Sequence, residues 1–116
     1  KTSKSTTSYT TMRRIGANRI VCSRTQVLTL GVVEISDCYL SNFYAIDGEL
    51  PQTEWFGGTI ILSSIKHADL PTCATMEQII NVLMYDDSFP KYAYHISTES
   101  SIKQIITKSE VTMLCE

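Results

Sequence analysis

Apolar and polar residues alternate over short stretches after residue 12, which is the pattern of β-strands. Three such stretches follow one another with gaps of one or two residues, at 18–23, 26–36 and 38–46, and this predicts an antiparallel meander. The stretch 26–36 is apolar on both faces at its centre, which predicts a strand covered on both sides. Gly31 in its middle predicts a bulge or a close approach of another group to the backbone.

The segment after the third stretch carries strong turn signals. Asp47-Gly48 predicts a hairpin with a type I′ turn, because both residues tolerate positive φ. Pro51 cannot donate to a ladder, so the residues around it are predicted to be irregular or to lie at a sheet edge. A further strand is predicted over 54–62, with its Gly-Gly pair as a bulge or bend.

One helix is predicted, at about 75–85. Five apolar residues recur there at helical spacing and form a single stripe, namely Met76, Ile79, Ile80, Leu83 and Met84. Thr75 followed by Gln78 matches the capping box that begins many helices. Two aspartates, which are unfavourable at a helix C-terminus, follow Tyr85, and Pro90 comes soon after them. The helix is therefore predicted to end near Tyr85.

The C-terminal part of the chain alternates again. Residues 91–97 are predicted to form a strand, whereas 101–115 fit either a helix or a hairpin. We favour the hairpin, with strands at 102–107 and 110–115 and a turn at Lys108-Ser109.

Together these elements predict an α+β, β-rich fold. About seven antiparallel strands form a bent sheet or a small barrel, and the single helix at about 75–85 covers one open side. This single domain is predicted to span 13–116, and the Ser/Thr-rich residues 1–12 to form a polar N-terminal arm. A chain of 116 residues that is 43% hydrophobic suits one modest core.

Composition excludes some classes of protein. No apolar run is long enough to span a membrane, and no leader-like segment is visible, so we expect a cytoplasmic protein. The four cysteines form no C-x-x-C pair and no zinc-binding spacing, so we expect no metal and no cofactor. They are predicted to be buried and reduced, with two disulfides in an exported protein as the alternative.

Charge is unevenly distributed along the chain. Residues 1–24 carry six basic side chains and no acid, whereas 25–87 carry nine acids and one lysine. This predicts either that the basic segment lies over the acidic one, within the chain or across a dimer, or that it binds an acidic partner or nucleic acid. Nucleic acid is the less favoured partner, because only Tyr9 accompanies the six cations as an aromatic that could stack on bases.

No catalytic motif is present, so we assign no catalytic residue and the sequence leans against an enzyme. Asp47, Glu49 and Glu54 lie close together in sequence and could bind a cation or act as a pair, but exposed turn acids are commoner. His67, on a loop, could act as a base, and Cys73 lies where a helix N-terminus can lower a thiol pKa. His67 is interpreted as part of a solvent-exposed loop before the helix, and Cys73 as structural.

The phrases LSNFY at 40–44, IDG at 46–48 and EW at 54–55 resemble, in that order, the opening of the NADAR family. Members of that family are linked to ADP-ribose-type N-glycosidic substrates, and the resemblance implies Asn42 and Glu54 as site residues. The family has a longer segment between the first two phrases and a helix after its acid. Here the Gly-Gly pair and the apolar run after it predict a strand, so we interpret the match as coincidental.

The phrases LTLGVVEIS, ELPQTEWFGGTIIL and AYHIS resemble segments of short uncharacterised β-rich proteins from gut anaerobic bacteria. The likeness covers most of 13–115. It implies a small bacterial protein of the cytoplasm with no cofactor, agrees with a strand over 54–62, and implies no activity.

We therefore expect a non-enzymatic protein-interaction module that can self-associate through its N-terminal arm as a homo-oligomer. The predicted partner-binding residues are a basic pair and an acidic–aromatic triplet: Arg13, Arg14, Glu54, Trp55 and Phe56. One alternative is a small enzyme or binder of ADP-ribose-type nucleotide derivatives that uses the acids of 47–54 with His67 or His95. A second alternative is nucleic-acid binding through the basic arm.

Overall fold

The computed structural model describes residues 12–48, 53–66, 68–85, 89–97 and 105–114. In these ranges nine strands and one α-helix follow one another along the chain. The strands are β1 (Arg13–Val21), β2 (Val27–Ser36), β3 (Tyr39–Ala45), β4 (Glu54–Trp55), β5 (Thr59–Ser63), β6 (Cys73–Ala74), β7 (Tyr92–Ile96), β8 (Ile106–Thr107) and β9 (Val111–Met113). The helix α1 (Met76–Leu83) lies between β6 and β7, and a short 3₁₀ turn (Lys108–Glu110) lies between β8 and β9.

Seven of the strands form one mixed sheet, in the order β3-β2-β1-β5-β7-β9, with β4 beside β1 as well. The predicted α+β, β-rich class with one helix is confirmed. One detail of the prediction is wrong: the sheet is not wholly antiparallel, because β1 pairs in parallel with both β4 and β5. Of the two predicted shapes, a bent sheet and a small barrel, the sheet is the one present, since it does not close into a barrel. After β3 the chain crosses to the side of β1 that faces away from β2. There β4 and β5 run in the same direction as β1, so both pairs are parallel.

The first three strands form the predicted antiparallel meander. The tight turn of this meander lies at Asp37-Cys38, where both residues have positive φ (54° and 68°), as a type I′ turn requires. The hairpin predicted at Asp47-Gly48 is wrong, because β3 pairs with β2 and the next strand, β4, pairs with β1. Gly48 does have positive φ, at 101°, so the chain turns there without forming a hairpin.

The two faces of the sheet carry separate cores. One core lies under α1 and joins Ile79 and Leu83 to sheet residues such as Ile61 and Tyr94. The other lies on the opposite face, between Ile15, Ile35, Ile60 and Leu62 with Leu114. The sheet curls around this second core until Leu40 N of β3 donates to Lys91 O, just before β7, at 2.6 Å.

The strand β2 is covered on both sides only in its second half. Val32 and Val33, successive residues that point to opposite faces, are both fully buried. Val27 and Leu30 are 51% and 44% exposed, so the predicted two-sided cover is wrong for the first half. The predicted close approach at Gly31 is confirmed, since a Cβ there would collide with the Ile20 side chain.

The helix matches its prediction closely. Thr75 and Gln78 form the capping box, in which Gln78 N donates to Thr75 Oγ1 at 3.2 Å and Thr75 N donates to Gln78 Oε1 at 2.9 Å. At the other end Arg24, from the loop between β1 and β2, donates to Asn81 Oδ1 and, at 2.8 Å, to Met84 O. A cation thus covers the carbonyl end of the helix dipole.

The predicted C-terminal hairpin is wrong in its pairing. A turn does lie at Lys108-Ser109, but β8 pairs with β6 while β9 pairs with β7. The two short strands therefore belong to different sheets, and residues 98–104 lie outside the described ranges. The predicted N-terminal arm, apart from Met12, also lies outside them.

Candidate interaction surface

The predicted partner-binding residues lie at the corner where β4 joins β1. Ile15 is in register with Glu54, and Gly16 with Trp55. Phe56 N and Gly57 N then both donate to Gly16 O, at 2.9 and 3.3 Å. Gly57 and Gly58 have positive φ (71° and 64°) and turn the chain from β4 into β5, which confirms the predicted bend.

The pleat of the strands divides the five predicted residues between two faces of the sheet. Arg13 and Glu54 lie on one face, where Arg13 also contacts Phe56. Arg14 and Trp55, each one residue along its strand, lie on the other face. The five predicted residues therefore do not share one face, because adjacent residues of a strand point in opposite directions.

The Arg13 face consists of Arg13, Glu54, Phe56 and His95. Arg13 Nε and Nη2 donate to the two carboxylate oxygens of Glu54 at 2.9 and 2.7 Å, which is a bidentate pair. The Arg13 guanidinium also lies 5.7 Å from the centroid of the Phe56 ring. These hydrogen bonds hold the pKa of the Glu54 carboxyl below its ordinary value, so the pair stays charged at neutral pH.

His95 completes this face from strand β7. Its ring lies 5.3 Å from that of Phe56 in an edge-to-face arrangement, and its Nε2 lies 3.0 Å from Gly57 O. The Phe56 ring is thus flanked by a cation on one side and an imidazole on another. It nevertheless remains 38% exposed.

The Trp55 face consists of Trp55, Arg14, Glu34 and Tyr44. The Trp55 ring leans with its Cε3–Cζ3 edge on Gly16, where a Cβ would lie 2.6 Å from Cε3, and the residue is 52% exposed. Glu34 Oε2 accepts from Tyr44 Oη at 2.7 Å and from Arg14 Nε at 3.3 Å. The hydrogen bond to Glu34 raises the pKa of the Tyr44 phenol above its ordinary value.

Of the residues of the enzymatic alternative, Glu54 and His95 both lie on the Arg13 face. Glu54 is paired with Arg13, and Asp47 is exposed in its turn. Glu49 and His67 lie outside the described ranges. Within those ranges no three His, Cys, Asp or Glu side chains lie close enough together to hold a metal ion.

A cleft of about 220 Å³ lies elsewhere, beside the C-terminal end of α1. Its lining includes Cys22, Arg24, Ser63, Met84 and Phe89, and among the described residues none that lines it is an acid or a histidine. Burial raises the pKa of the Cys22 thiol, so this thiol is less nucleophilic than an ordinary one at neutral pH. The cleft is smaller than the roughly 300–1,000 Å³ of common ligand pockets.

Three arginines of the basic segment bind other parts of the same chain. Arg13 pairs with Glu54, Arg14 with Glu34, and Arg24 with the end of α1. This supports the interpretation that the basic segment lies over the acidic one within the chain. Lys1 and Lys4 lie outside the described residues, so nucleic-acid binding by the arm remains untested.

The cysteines differ from their predicted state. Cys38 is disulfide-bonded, whereas Cys22 and Cys73 are free and Cys73 is exposed. The prediction of four buried, reduced thiols is wrong, and so is the alternative of two disulfides.

In the part of the chain that the structure describes, no helix is long and apolar enough to cross a membrane.

Sequence reasoning missed Glu34 and Tyr44 as parts of a surface, and placed His95 only as an alternative. Glu34 is the one acid within the apolar stretch 26–36, and such an isolated charge in a strand was the available signal. The ion pair between Glu34 and Arg14 depends on the register of β1 against β2, and the sequence alone does not reveal that register.

No family model matches the chain, and comparison with the curated proteins and with the solved structures finds no match either. The resemblances to the NADAR family and to short β-rich bacterial proteins therefore remain predictions.

Proposed function

We propose that the chain is a non-enzymatic protein-interaction module, and that the Arg13 face contacts the partner. One observation carries this proposal: an aromatic ring, Phe56, stays exposed although hydrogen bonds fix the backbone on which it stands. An exposed anchor that is already ordered loses little entropy on binding. Aromatic and arginine side chains also dominate the binding energy of protein interfaces.

The partner that this surface fits best is a second copy of the chain. Arg13 and Glu54 place one charge of each sign beside Phe56, so the surface is neutral and can be complementary to itself. In a two-fold dimer the cation of one copy meets the carboxylate of the other, and the reverse contact follows by symmetry. The N-terminal arm, the other predicted route to self-association, lies outside the described residues.

Sedimentation velocity from low micromolar to millimolar concentration tests the proposal. We expect a concentration-dependent dimer whose dissociation constant rises at least tenfold, about 1.4 kcal/mol, in the variant Phe56→Ala. Tyr85→Ala is the matched control. Tyr85 is also an exposed aromatic residue (80%), and it lies just after the C-terminal end of α1. Its dimer should be unchanged.

Charge reversal gives a second, sharper comparison. Arg13→Glu alone should weaken the dimer, because like charges then meet within and between copies. The double variant Arg13→Glu with Glu54→Arg restores the pair inside each copy and across the two-fold, and should restore the dimer. A wild-type chain that stays monomeric at millimolar concentration contradicts self-association through this face.

The cytoplasmic location stays a prediction, and Cys38 weighs against it. Disulfides persist in oxidising compartments and are rare in the cytosol. Since Cys38 is disulfide-bonded, an oxidising compartment is the better-supported setting for the module.

A further inference from the structure

The curled sheet meets itself at a seam, where the start of β3 contacts the start of β7. Leu40 N donates to Lys91 O at 2.6 Å, and the ring of Tyr39 lies 5.4 Å from that of Tyr92. Leu40 also packs against the core that contains Leu114. Hydrogen bonds near a protein surface open locally at a low cost in free energy, so a seam of this kind gains stability from a covalent bond beside it.

Cys38 lies next to this seam, at a backbone position that favours glycine. It is the second central residue of the type I′ turn between β2 and β3, with φ at 68°. Both central residues of such a turn need positive φ, which is why Asn-Gly and Asp-Gly are its usual sequences. Asp37-Cys38 keeps the aspartate but has, in place of the glycine, a residue whose Cβ makes this conformation costly. The disulfide that Cys38 forms supplies a reason for a cysteine at this position.

The other half of this disulfide follows by elimination. The chain contains four cysteines, and two of them, Cys22 and Cys73, are free. Cys38 is disulfide-bonded, so the sequence leaves Cys115 as its partner. Cys115 itself lies outside the described residues, immediately after Leu114.

The last described residues lead towards the seam. β9 runs antiparallel to β7, with Met113 opposite Tyr94, and Leu114 N then donates to Ala93 O at 2.8 Å. Each residue of this segment thus lies one position further along β7 in the direction of Tyr92, which is the β7 residue of the seam. The described chain therefore approaches the seam just before the sequence reaches its last cysteine.

We propose that Cys38 and Cys115 form a disulfide that acts as a redox-sensitive clasp, joining β3 and β9, the two edges of the sheet, at the start of β7. The closed clasp keeps Leu40 on its core. A dithiol reductant opens the clasp by thiol–disulfide exchange: it supplies two electrons and two protons, the S–S bond breaks, two thiols form and the dithiol becomes a disulfide. Cys38 is only half-buried, so a reductant can reach it.

The opening is local. The helix α1 packs on the opposite face of the sheet from the core that Leu40 covers, and the pairs of β1 with β2 and β5 involve neither β3 nor β7. Loss of the disulfide should therefore release the contact between β3 and β7 while the helix and the centre of the sheet stay in place. This local effect distinguishes a clasp from a cross-link that only stabilises the whole fold.

Tryptic peptides identify the partner of Cys38, because each cysteine of the chain falls in a different peptide. Cys38 lies in the peptide 25–66 and Cys115 in the peptide 109–116. We expect a digest of the alkylated, unreduced protein to contain these two peptides as one cross-linked species, which disappears on reduction. Any other linkage of the peptide 25–66, including one to a second copy of the chain, overturns the assignment.

Amide hydrogen exchange of the full chain, followed by NMR with and without dithiothreitol, tests the clasp. Leu40 N donates across the seam, whereas Met84 N donates to Ile80 O at the end of α1. Reduction should accelerate exchange at Leu40 about tenfold or more and leave exchange at Met84 unchanged. Equal exchange at Leu40 in the oxidised and reduced protein overturns the clasp. An equal acceleration at both amides also overturns it, because the bond then stabilises the fold as a whole.

Matched variants separate the disulfide from the turn. Cys38→Gly removes the bond but supplies the glycine that a type I′ turn favours, so it should keep the β2–β3 hairpin. Without reductant it should accelerate exchange at Leu40 as much as reduction of the wild type does, and so should Cys115→Ser. Cys73→Ser removes an exposed free thiol and, as the control, should leave exchange at Leu40 unchanged.

Two results with these variants contradict the proposal. One is exchange at Leu40 in Cys38→Gly or Cys115→Ser that equals exchange in the oxidised wild type. The other is loss of the wild-type circular dichroism in both variants, since the bond then supports the whole fold and not the seam.

Discussion

Gly31 and Gly16 are both buried glycines of the sheet, and they differ in what lies above them. A Cβ at Gly31 would collide with Ile20, whose side chain is fully buried, and would lie 3.3 Å from Tyr44 O. A Cβ at Gly16 would meet only Trp55 and Thr53, and Trp55 is half exposed. One glycine therefore preserves the core, and the other makes room for a surface side chain.

This difference predicts opposite consequences for the same substitution. Gly31→Ala should destabilise the protein by about 1–3 kcal/mol, because the fully buried Ile20 side chain would have to shift within the packed core. Gly16→Ala should cost clearly less and should instead shift the Trp55 emission, since the indole can swing towards solvent. Urea unfolding and fluorescence of the two variants provide the measurements. Equal losses of stability, with Trp55 emission unchanged in Gly16→Ala, would show that Trp55 is held more firmly than its exposure indicates.

At the scale of whole elements, predictions from sequence succeeded where the interactions are local. The helix was predictable because its stripe, its capping box and its end all lie within about fifteen residues. The strands were predictable as segments, but their partners were not. The return of β4 and β5 to the far side of β1 depends on contacts with residues about 40 positions away, for which no local pattern exists.

The same limit explains the candidate surface. Glu54 and Phe56 could be proposed together because they lie two residues apart and flank the only tryptophan of the chain. That Trp55 joins Arg14 on the opposite face follows only from the parallel register of β4 with β1. Likewise, Asp47-Gly48 is the stronger turn signal, yet the type I′ turn forms at Asp37-Cys38, because there the two flanking strands pair.

The capping box gives a prediction at the scale of an element. Thr75→Ala removes the oxygen that accepts from Gln78 N and should destabilise the protein by about 1 kcal/mol. Thr72→Ala is the control, since Thr72 contributes its backbone carbonyl to Lys108 N, and a change of side chain leaves that bond in place. Thermal unfolding of both variants measures the difference, and an equal effect of the two changes would contradict the role of the cap.

Across the whole molecule, the uneven charge of the sequence becomes a set of internal contacts. Arg13 and Arg14 join β1 to acids of β4 and β2, and Arg24 joins the β1–β2 loop to the carbonyl end of α1. These three arginines thus join β1 and its loop to the rest of the sheet and to the helix. A charge asymmetry between parts of a chain is accordingly weak grounds for nucleic-acid binding when the acidic part can supply the partners.

The cysteines allow the state of the whole molecule to be tested chemically. Cys38 should resist alkylation in the denatured, unreduced protein and react only after reduction, because it is disulfide-bonded. Cys22 and Cys73 should react without reductant. In the native protein Cys73 should react first, since it is exposed, whereas burial raises the pKa of the half-buried Cys22 thiol and leaves less thiolate.

Peptide mass mapping after alkylation distinguishes these sites. Protein prepared under oxidising conditions should carry the label at Cys22 and Cys73 but not at Cys38. Reduction should add the label at Cys38 and at the cysteine bonded to it, and should lower the midpoint of unfolding, because a cross-link that restricts the unfolded chain is lost. If Cys38 is labelled as readily as Cys73 before reduction, the bond does not form, and the protein does not depend on an oxidising compartment.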